Sequence, residues 1–389
     1  MKNSNPKILV GMSGGVDSSV AAALLLEKGY DVTGVFIKFW SEGSSNLNKC
    51  CSLEAYQDAR RVASKLKIKL YTWDMKSIFK SHVVDDFLAQ YSLGRTPNPC
   101  VLCNKYIKFG EFLSRAKKLG FEFIATGHHV NVKKARKQSL DAARDRKNKK
   151  TIYNLTTAKD KDKDQSYFLW TLTQPQLKHV LFPVGNYTKT EIRNIAKKKN
   201  LPVFNKKDSQ GLCFIKDKRH YDFLRRHLKL KKGPIKTSDG IPEKGIKPGT
   251  KIGEHQGLPL YTIGQRREIL VGGIGPFYVV KCNYNNNTLY VANKFDRKLL
   301  YRKELVANKV SWISGKTSEL PLKCKVKIRY GHPAVPATLK KSQPRAGQPL
   351  AEKNHKIKVE FTKSQRAITP GQSVVFYSGT EVLGGGVIQ

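Results

Sequence analysis

A short apolar run, Ile8-Leu9-Val10, is followed at once by a glycine-rich turn and then by the Ala- and Leu-rich segment 18–28, which ends at Gly29. The run predicts a buried strand, and the segment with its glycine stop predicts a helix. The same alternation continues over the first 130 residues. Strands are predicted at 31–37, 69–73 and 121–127, and helices at 53–66 (capped by Ser52) and from about 108 to 119. Strands separated by such helices are typical of parallel βαβ units, so this part predicts an α/β domain with a parallel sheet.

The second half of the chain follows a different pattern. A Gly- and Pro-rich stretch at 233–257 indicates a boundary, and a capping box predicts a helix at 188–200 before it. From about Pro276 onward the segments are short and alternate polar with apolar residues, which predicts an antiparallel β domain, a small barrel. Such segments occur at 277–282, 288–292, 323–329, 356–361 and 373–377.

The length of 389 residues also requires more than one core, because single cores stop growing at roughly 250–300 residues. We therefore expect three domains. Residues 1–215 form the α/β domain, residues 216–292 a small central domain, and residues 293–389 the barrel.

The charge balance points to an anionic partner. The chain has 72 Lys and Arg against 30 Asp and Glu, a formal charge of +42. This excess fits poorly with an acidic tail, a secreted disulfide miniprotein or a neutral metabolic enzyme. Nucleic acid is the first candidate partner and an anionic membrane the second. No run of about 18 apolar residues and no targeting segment is evident, so we expect a cytoplasmic protein without a membrane span.

A basic low-complexity segment occupies residues 133–150 and is followed by a strand pattern at 151–155. One interpretation is a solvated surface loop inserted between two strands. The other is a basic arm that touches an RNA backbone, and the two are compatible.

The glycine-rich turn, Gly11-Met12-Ser13-Gly14-Gly15-Val16-Asp17-Ser18-Ser19, lies between a predicted strand and a predicted helix. Glycines allow a ligand close to the backbone, and the N–H groups of a helix start attract an anion. The turn lacks the Gly-Lys-Ser/Thr end of a Walker loop and the Gly-x-Gly-x-x-Gly dinucleotide pattern. A plain strand–helix turn is the alternative. The Ser-Gly-Gly-x-Asp-Ser pattern of the glycine-rich turn resembles the PP-loop of the ATP pyrophosphatases. This resemblance implies binding of the ATP pyrophosphate and adenylation of a carbonyl oxygen, with Asp17 near a magnesium ion.

Cysteines supply the second chemical signal, and their odd number, seven, favours thiols over structural disulfides. Cys100 and Cys103 follow two prolines, and a thiol near a helix start has a lowered pKa. A single Cys-x-x-Cys is compatible with half a zinc site, a redox pair or an iron–sulfur ligand set. Cys213 on its own predicts a buried thiol before a strand.

The other cysteines are less informative. Cys282 and Cys324 lie within strand patterns and are expected in the core. Cys50 and Cys51 are interpreted as thiols of a surface or substrate loop, without an assigned role.

Several segments together carry a specific resemblance over nearly the whole chain. Read in order, these motifs resemble the bacterial tRNA-specific 2-thiouridylase family. The segments are 11–19, 96–104, 125–128, 163–169, 208–215, 255–257, 261–266, 327–330 and 367–377. The resemblance implies an enzyme that replaces O2 of the wobble uridine of tRNA with sulfur. ATP adenylates the oxygen, a cysteine persulfide delivers the sulfur, and AMP leaves.

The resemblance also implies roles for individual residues. Cys213 matches the persulfide cysteine, and Cys103 the nucleophile that assists sulfur release and leaves a disulfide with Cys213. The positions matching the ATP site are Gly11, Met12, Ser13, Gly14, Gly15, Val16, Asp17, Ser18, Ile37 and Gly127. Those matching the target-base segment are Asn98, Pro99 and Cys100, and those matching tRNA contacts are His128, Lys163, Asp164, Gln165, Arg329, Tyr330 and Gln372. The implied cofactors are ATP and Mg²⁺, and the implied partners are the tRNA anticodon stem-loop and a cysteine desulfurase or sulfur-relay protein.

The chain departs from the family pattern at three places. Cys100 stands where some relatives have Asp, so an acid–base role there is in doubt. His129 stands where Tyr is usual, and the segment 133–150 is unusually long and basic. Neither His129 nor that segment is expected to touch the chemistry directly.

Three other interpretations remain open. Cys100, Cys103 and Cys213 could hold an iron–sulfur cluster with an open iron site. The chain could be an RNA-binding protein in which the PP-loop is a relic, although Ser13, Asp17 and their neighbours are intact. It could also be another carbonyl-activating amidotransferase or ligase, which the β domain and the cysteine pair disfavour.

Overall fold

The computed structural model describes residues 5–42, 52–136, 151–208, 211–215, 220–293, 298–342 and 356–389. Cys50, Cys51 and residues 137–150 of the basic segment lie outside the described residues, so the interpretations of them stay predictions. Among the described residues, no helix is both long and apolar enough to span a membrane.

A five-stranded sheet forms the centre of the first half, and all of its pairings are parallel, as predicted. Its strands are β1 (Lys7–Gly11), β2 (Asp31–Lys38), β3 (Leu70–Asp74), β4 (Phe123–Ala125) and β7 (Val180–Leu181), in the order β3-β2-β1-β4-β7. The chain therefore adds strands on one side of β1 and then crosses to the other side. Ligands of such open sheets bind where the order reverses, at the carboxyl ends of the central strands.

Helices surround this sheet and the sequence signals for two of them are confirmed. Ser52 accepts a hydrogen bond from the Ala55 N–H at the start of α2, and Thr188 and Glu191 form the capping box of α8. The helices are α1 (Val16–Glu27), α2 (Leu53–Lys65), α3 (Lys76–Phe79), α4 (Asp85–Ser92), α5 (Pro99–Leu102), α6 (Phe112–Lys118), α7 (Gln174–Leu177), α8 (Lys189–Lys198) and α9 (His220–His227). Short 3₁₀ turns occur at Ser166–Phe168, Pro242–Lys244, Leu258–Leu260 and Lys298–Leu300.

Two π-helical segments, Lys80–Val84 and Cys103–Glu111, join shorter α-helices into longer ones. The helix predicted to begin near residue 108 therefore begins at Pro99, because the wider π turns interrupt the apolar period on which that prediction rests. Gly110 is required there: a Cβ would lie 2.8 Å from the Lys105 carbonyl oxygen, five residues earlier.

A four-stranded sheet follows, with β8 (Gly233–Thr237), β9 (Lys251–His255), β10 (Tyr278–Asn283) and β11 (Thr288–Ala292) in the order β10-β11-β8-β9. The β11–β8 pair is parallel and the other two pairs are antiparallel. The segments 277–282 and 288–292 are thus strands, but they pair here and not in the barrel. Alternation identifies a strand without identifying its partner.

Six antiparallel strands close the predicted barrel, because β12 pairs with both β15 and β17. They are β12 (Tyr301–Trp312), β13 (Leu322–Lys327), β14 (Val335–Lys341), β15 (Ile357–Arg366), β16 (Ser373–Ser378) and β17 (Glu381–Ile388). The remaining hairpin, β5 (Val130–Arg136) and β6 (Thr151–Thr157), extends the barrel through a pairing of Thr156 with Glu381. Residues 133–136 of the basic segment are therefore strand rather than loop.

Candidate active site

The glycine-rich turn connects the central strand β1 to α1, and we refer to residues 11–18 as the nucleotide loop. Gly14 has φ +71°, and a Cβ there would lie 2.1 Å from the Ala55 carbonyl oxygen of α2. Only glycine fits this position, which brings α2 close against the loop.

Serine side chains fix the shape of the nucleotide loop. The Ser13 N–H donates to Ser18 Oγ at 3.2 Å, and the Ser18 and Ser19 hydroxyls donate to the Gly15 carbonyl at 3.1 and 2.8 Å. These bonds hold the first turn of α1 open toward the loop, where its N–H groups and dipole favour an anion.

Neighbouring strands complete the nucleotide end of the site. Gly127 follows β4, and a Cβ there would lie 2.6 Å from the Ser18 amide nitrogen. Ile37 lies near the end of β2, beyond the pairing of Val35 with Gly11. The structure thus gathers all of the residues predicted for ATP at the carboxyl edge of β1, β2 and β4.

The Asp17 carboxylate contacts a lysine amine and a histidine ring to which the sequence analysis gave no role. Lys189 Nζ lies 2.6 Å and His129 Nε2 lies 3.2 Å from Asp17 Oδ1. Burial raises the pKa of Asp17, but the hydrogen bonds from His129 and Lys189 outweigh it and leave the pKa below its usual value. The expectation that His129 does not touch the chemistry directly stays a prediction, but its ring contacts Asp17 of the nucleotide loop.

Asp208 carries the largest group of ion pairs near the site. Its oxygens lie 2.8 Å from Lys189 Nζ, 2.9 Å from Lys163 Nζ and 3.1 Å from the Arg193 guanidinium. Burial raises the pKa of Asp208, but the hydrogen bonds and charges of Lys189 and Lys163 lower it by more, so that the pKa is about 2. The capping box at the start of α8 was the one sequence signal near Lys189. It predicted the helix start but not the contacts of the Lys189 side chain.

Cys103 is the first residue of the second π-helical segment, and it is only 7% exposed. The adjacent Asn104 is buried; its amide nitrogen donates to the Phe168 carbonyl at 3.1 Å, while its Oδ1 has no hydrogen-bond partner among the described residues. Cys100 is exposed at the preceding turn, in α5, which begins at Pro99 directly after Asn98.

Cys213 is half-buried and packs against the same hydrophobic core that contains Cys103. Phe214 and Ile215 anchor it, and the Phe214 ring lies 5.3 Å from that of Phe87 and 5.9 Å from that of Phe79. No strand is present within residues 211–215, and residues 216–219 lie outside the described residues, so the strand expected after Cys213 stays a prediction. We refer to residues 211–215 as the Cys213 segment.

Three parts of the chain meet at the loop that precedes α5, residues 95–98, which we call the Thr96 loop. The Thr96 N–H donates to the Pro370 carbonyl at 2.9 Å, and the Gln372 amide donates to the Thr96 carbonyl at 2.9 Å. The Thr96 and Thr262 hydroxyls lie 2.9 Å apart. The barrel and the four-stranded sheet therefore both hold the segment that leads to Cys100 and Cys103.

Beside the Thr96 loop lies a cleft of about 1770 Å³ between the α/β domain and β12. Among the described residues that line it, basic side chains outnumber acidic ones by ten to three. The basic ones are Arg95, Lys105, Lys281, Arg302, Lys303, Lys309, Lys340, Lys341, Lys356 and Lys358, and the acidic ones are Asp86, Glu304 and Glu360.

Comparison with known proteins gives consistent matches along the chain. Three family models match in order: the tRNA methyl transferase HUP domain at residues 6–217, the tRNA methyl transferase PRC-barrel domain at 221–293, and the aminomethyltransferase beta-barrel domain at 302–388. The tRNA-specific 2-thiouridylase MnmA of Clostridioides difficile is 41% identical over 99% of this chain and 98% of its own length. MnmA 2 of Clostridium tetani is 42% identical over 98% of each chain, and MnmA 2 of Geobacillus kaustophilus is 42% identical over 98% and 94%.

This chain belongs to the tRNA-specific 2-thiouridylase family. Family membership agrees with the resemblance that the motifs carry, and it extends over the whole described chain.

Of the residues that the family pattern assigns to tRNA, some are exposed and some are not. Tyr330 is 43% exposed, and its ring lies 4.6 Å from that of Phe168. Lys163 and Arg329 are half-exposed, as is Gln372. Gln165 is held by His129, whose N–H donates to the Gln165 side chain at 2.9 Å.

His128 and Asp164 are instead buried. The His128 ring lies 2.8 Å from the Thr126 hydroxyl, and burial lowers its pKa well below the usual value, so the ring is neutral. Asp164 accepts hydrogen bonds from the Ala158 N–H and from Ser166. Their assignment as tRNA contacts stays a prediction; in this structure the His128 ring contacts the Thr126 and Lys108 side chains, and Asp164 binds the backbone of Ala158.

The side chains available as metal ligands can be compared with what an iron–sulfur cluster and Mg²⁺ each require. Within the parts of the chain that the structure describes, no three His, Cys, Asp or Glu side chains form a metal-binding group. Cys100, Cys103 and Cys213 thus do not form such a group in this arrangement of the described residues. The ionised Asp17 does fit Mg²⁺, which uses one or two carboxylates together with phosphates and water.

Proposed function

We propose that this chain is a tRNA-uridine 2-sulfurtransferase, which makes 2-thiouridine at the wobble position of tRNA with consumption of ATP. The observation that carries the proposal is the single lysine, Lys189, that contacts both the nucleotide loop and Asp208, five residues before Cys213. One ion-pair network therefore joins the predicted site of carbonyl activation to Asp208, five positions before the candidate sulfur carrier in the chain. The names of the relatives supply the substrate class.

The first step would use the nucleotide loop. The loop and the first turn of α1 bind the pyrophosphate part of ATP, with Ile37 and Gly127 at the nucleotide. A bound Mg²⁺, held by Asp17, would neutralise phosphate charge. The uridine O2 attacks the α-phosphorus, the bond to pyrophosphate breaks, and O2 becomes part of an AMP leaving group. This step makes an unreactive amide-like carbonyl carbon open to a sulfur nucleophile.

The second step would use the two thiols. A cysteine desulfurase or a sulfur-relay protein first converts Cys213 to a persulfide. The Cys103 thiolate attacks the Cys213 sulfur, a Cys103–Cys213 disulfide forms, and hydrosulfide leaves. The hydrosulfide adds at C2 of the adenylated base, AMP departs with the oxygen, and a proton is released. A dithiol reductant restores both thiols for the next turnover.

The RNA would be held by the basic cleft beside the Thr96 loop and by the exposed Tyr330, Lys163 and Arg329. Neutralising several phosphates by Lys and Arg makes such binding dependent on salt. The target base must leave its stack to reach Cys100 and Asn98, as in other base-modifying enzymes. We assign the chemistry to residues 1–215 and the additional RNA surface to residues 216–292 and 293–389, in the cytoplasm, where tRNA is available.

The proposal is tested by incubating the protein with total tRNA, ATP, Mg²⁺, a cysteine desulfurase and cysteine, followed by mass spectrometry of the nucleosides. We expect 2-thiouridine to appear only when ATP and the sulfur source are both present. Because two of the matching family models are described as tRNA methyl transferase domains, a parallel reaction with a methyl donor tests for tRNA methylation. Methylated nucleosides without thiolated ones, or no modified nucleoside although the tRNA binds, would overturn the proposal.

A further inference from the structure

The amine of Lys189 lies between two carboxylates that belong to different functional segments. It is 2.6 Å from Asp17 Oδ1, in the first turn of α1, and 2.8 Å from Asp208 Oδ1, upstream of Cys213. The Lys189 side chain is only 12% exposed. A shielded ion pair of this kind is screened much less by salt than a surface pair.

The backbone of Lys189 is fixed from two sides. Its N–H donates to Asp160 Oδ2 at 2.9 Å, and the capping box of Thr188 and Glu191 sets the start of α8. Ile192 of α8 packs in the same hydrophobic core as Val20 of α1. The backbone of Lys189 is therefore held in place beside the nucleotide loop, and only its side chain is free to exchange partners.

Each carboxylate keeps other partners if the amine turns away from it. Asp17 retains His129, and Asp208 retains Lys163 and Arg193. A polyphosphate arriving in the nucleotide loop adds negative charge beside Asp17 and competes for the lysine amine, which binds phosphate as a compact point charge. Lys189 can thus leave Asp208 without leaving that carboxylate uncompensated.

Asp208 and Phe214 hold the chain on the two sides of Cys213. Phe214 is 2% exposed and is locked among the aromatic rings of Phe79, Phe87 and Phe223. Asp208 is held by the three ion pairs described above. Cys213 lies only five positions after Asp208 in the chain, which allows a reach of at most about 17 Å. This short connection allows a change in the ion pairs of Asp208 to act on Cys213, while Phe214 stays packed in the core.

We propose that Lys189 is a positioning residue that couples occupancy of the nucleotide loop to the placement of Cys213. Without nucleotide, its amine bridges Asp17 and Asp208 and holds the Cys213 thiol back. With ATP bound, the amine turns to the phosphates, Asp208 loses one of its three cations, and the Cys213 segment is released toward the activated base. This inference rests on the proposed ATP site, and it adds an order of events: nucleotide first, sulfur delivery second.

The test measures the reactivity of Cys213 in the full-length protein, without turnover. Iodoacetamide alkylation of the Cys213 peptide is followed by mass spectrometry, with and without Mg²⁺ and an ATP analogue whose α,β-bridge cannot be cleaved. A separate titration establishes saturation. In the wild type we expect saturating analogue to raise the alkylation rate about fivefold or more. In Lys189→Met we expect one rate, with or without analogue.

Arg193→Met is the matched control, because Arg193 pairs with Asp208 but not with Asp17. It should keep the response to the analogue. An equal loss of the response in Arg193→Met would overturn the proposal, because anchoring of Asp208 in general would then suffice. A full response in Lys189→Met would also overturn it.

The wild-type measurement stands even if Lys189→Met does not fold, since an unchanged Cys213 rate at saturation refutes the coupling directly. The thiolation assay separates the two proposals. Thiolation without a change in Cys213 reactivity refutes only the coupling. A nucleotide-dependent Cys213 rate without any 2-thiouridine refutes only the proposed function.

Discussion

The two ends of the site are built in different ways. The nucleotide loop is shaped by contiguous chain, β1, a glycine turn and α1, and by serine hydroxyls within it. The thiol end is assembled from distant parts: Cys103 on a π-helical segment, Cys213 between aromatic and ionic anchors, and the Thr96 loop held by the barrel. The nucleotide end should thus be sensitive to local shape, and the thiol end to side chains far away in sequence.

The sharpest way to separate the two ends is Cys213→Ser. We expect thiolation to fall by more than about a thousandfold, because the sulfur carrier is lost, while ATP and tRNA affinities stay unchanged. Nucleoside mass spectrometry and filter binding measure the two properties. Cys324→Ser is the control, since Cys324 is a half-buried barrel residue whose pKa is raised by burial to about 12. Normal thiolation by Cys213→Ser would remove Cys213 from the chemistry.

Gly127→Ala should damage the nucleotide end alone. The added Cβ would lie 2.6 Å from the Ser18 amide nitrogen, so the start of α1 has to shift. Displacements of this size cost up to about a hundredfold, and we expect ATP affinity to fall about tenfold to a hundredfold. Equilibrium nucleotide binding measures the loss. Gly272→Ala is the control, because nothing lies within 4 Å of its Cβ position. If tRNA affinity fell together with ATP affinity, the two ends would not be separate.

Gln372→Ala tests whether the barrel sets up the thiol end. Its amide donates to the Thr96 carbonyl at 2.9 Å and the Pro97 carbonyl at 3.5 Å. Loss of these bonds should lower kcat/KM for tRNA about tenfold, with the KM for ATP unchanged. Gln365→Ala is the matched control, since the Gln365 amide donates within its own strand, to the Lys363 carbonyl. Equal effects of the two variants would mean that barrel contact is unimportant.

The same contrast explains what the sequence could predict. The strand–turn–helix around the nucleotide loop, the alternating strands and helices and both helix caps depend on residues close together in the chain, and the structure confirms them. The ion pairs of Lys189 join residues 172 positions apart in one case and 19 in the other, with no local pattern to reveal them. A hydrophobic period reports burial and not which side chains meet.

Two other differences between the sequence predictions and the structure also arise from contacts between residues far apart in the chain. The alternation at 277–292 identified β10 and β11, but β8, which pairs with β11, and β9, which pairs with β8, both lie within the Gly- and Pro-rich stretch 233–257. His129 carried no signal beyond a departure from the family pattern, and its contact with Asp17 appears only when β4 and α1 are brought together. The roles of the individual site residues stay predictions, whereas the position of the predicted ATP residues at the carboxyl ends of β1, β2 and β4 is observed.

Low pH should weaken the ion pairs of Asp208 near the thiol end, and a comparison of the wild type with Asp208→Asn measures their contribution to the free energy of unfolding. The pKa of Asp208 is about 2 in the folded chain, against about 3.9 when unfolded, so its ion pairs stabilise the fold above about pH 4. That contribution is lost as the pH falls from about 4 toward about 2. We therefore expect Asp208→Asn to lower the free energy of unfolding by about 1–2 kcal/mol at neutral pH, and by progressively less below about pH 4.

Urea unfolding of both proteins across this pH range measures the difference. Asp31→Asn, an exposed carboxylate at the start of β2, is the control and should differ little from the wild type at any pH. A gap between wild type and Asp208→Asn that does not change with pH would show that the ion pairs of Asp208 add no stability. The thiol end would then be held by the aromatic anchor at Phe214 alone, and the ionic half of the comparison would fail.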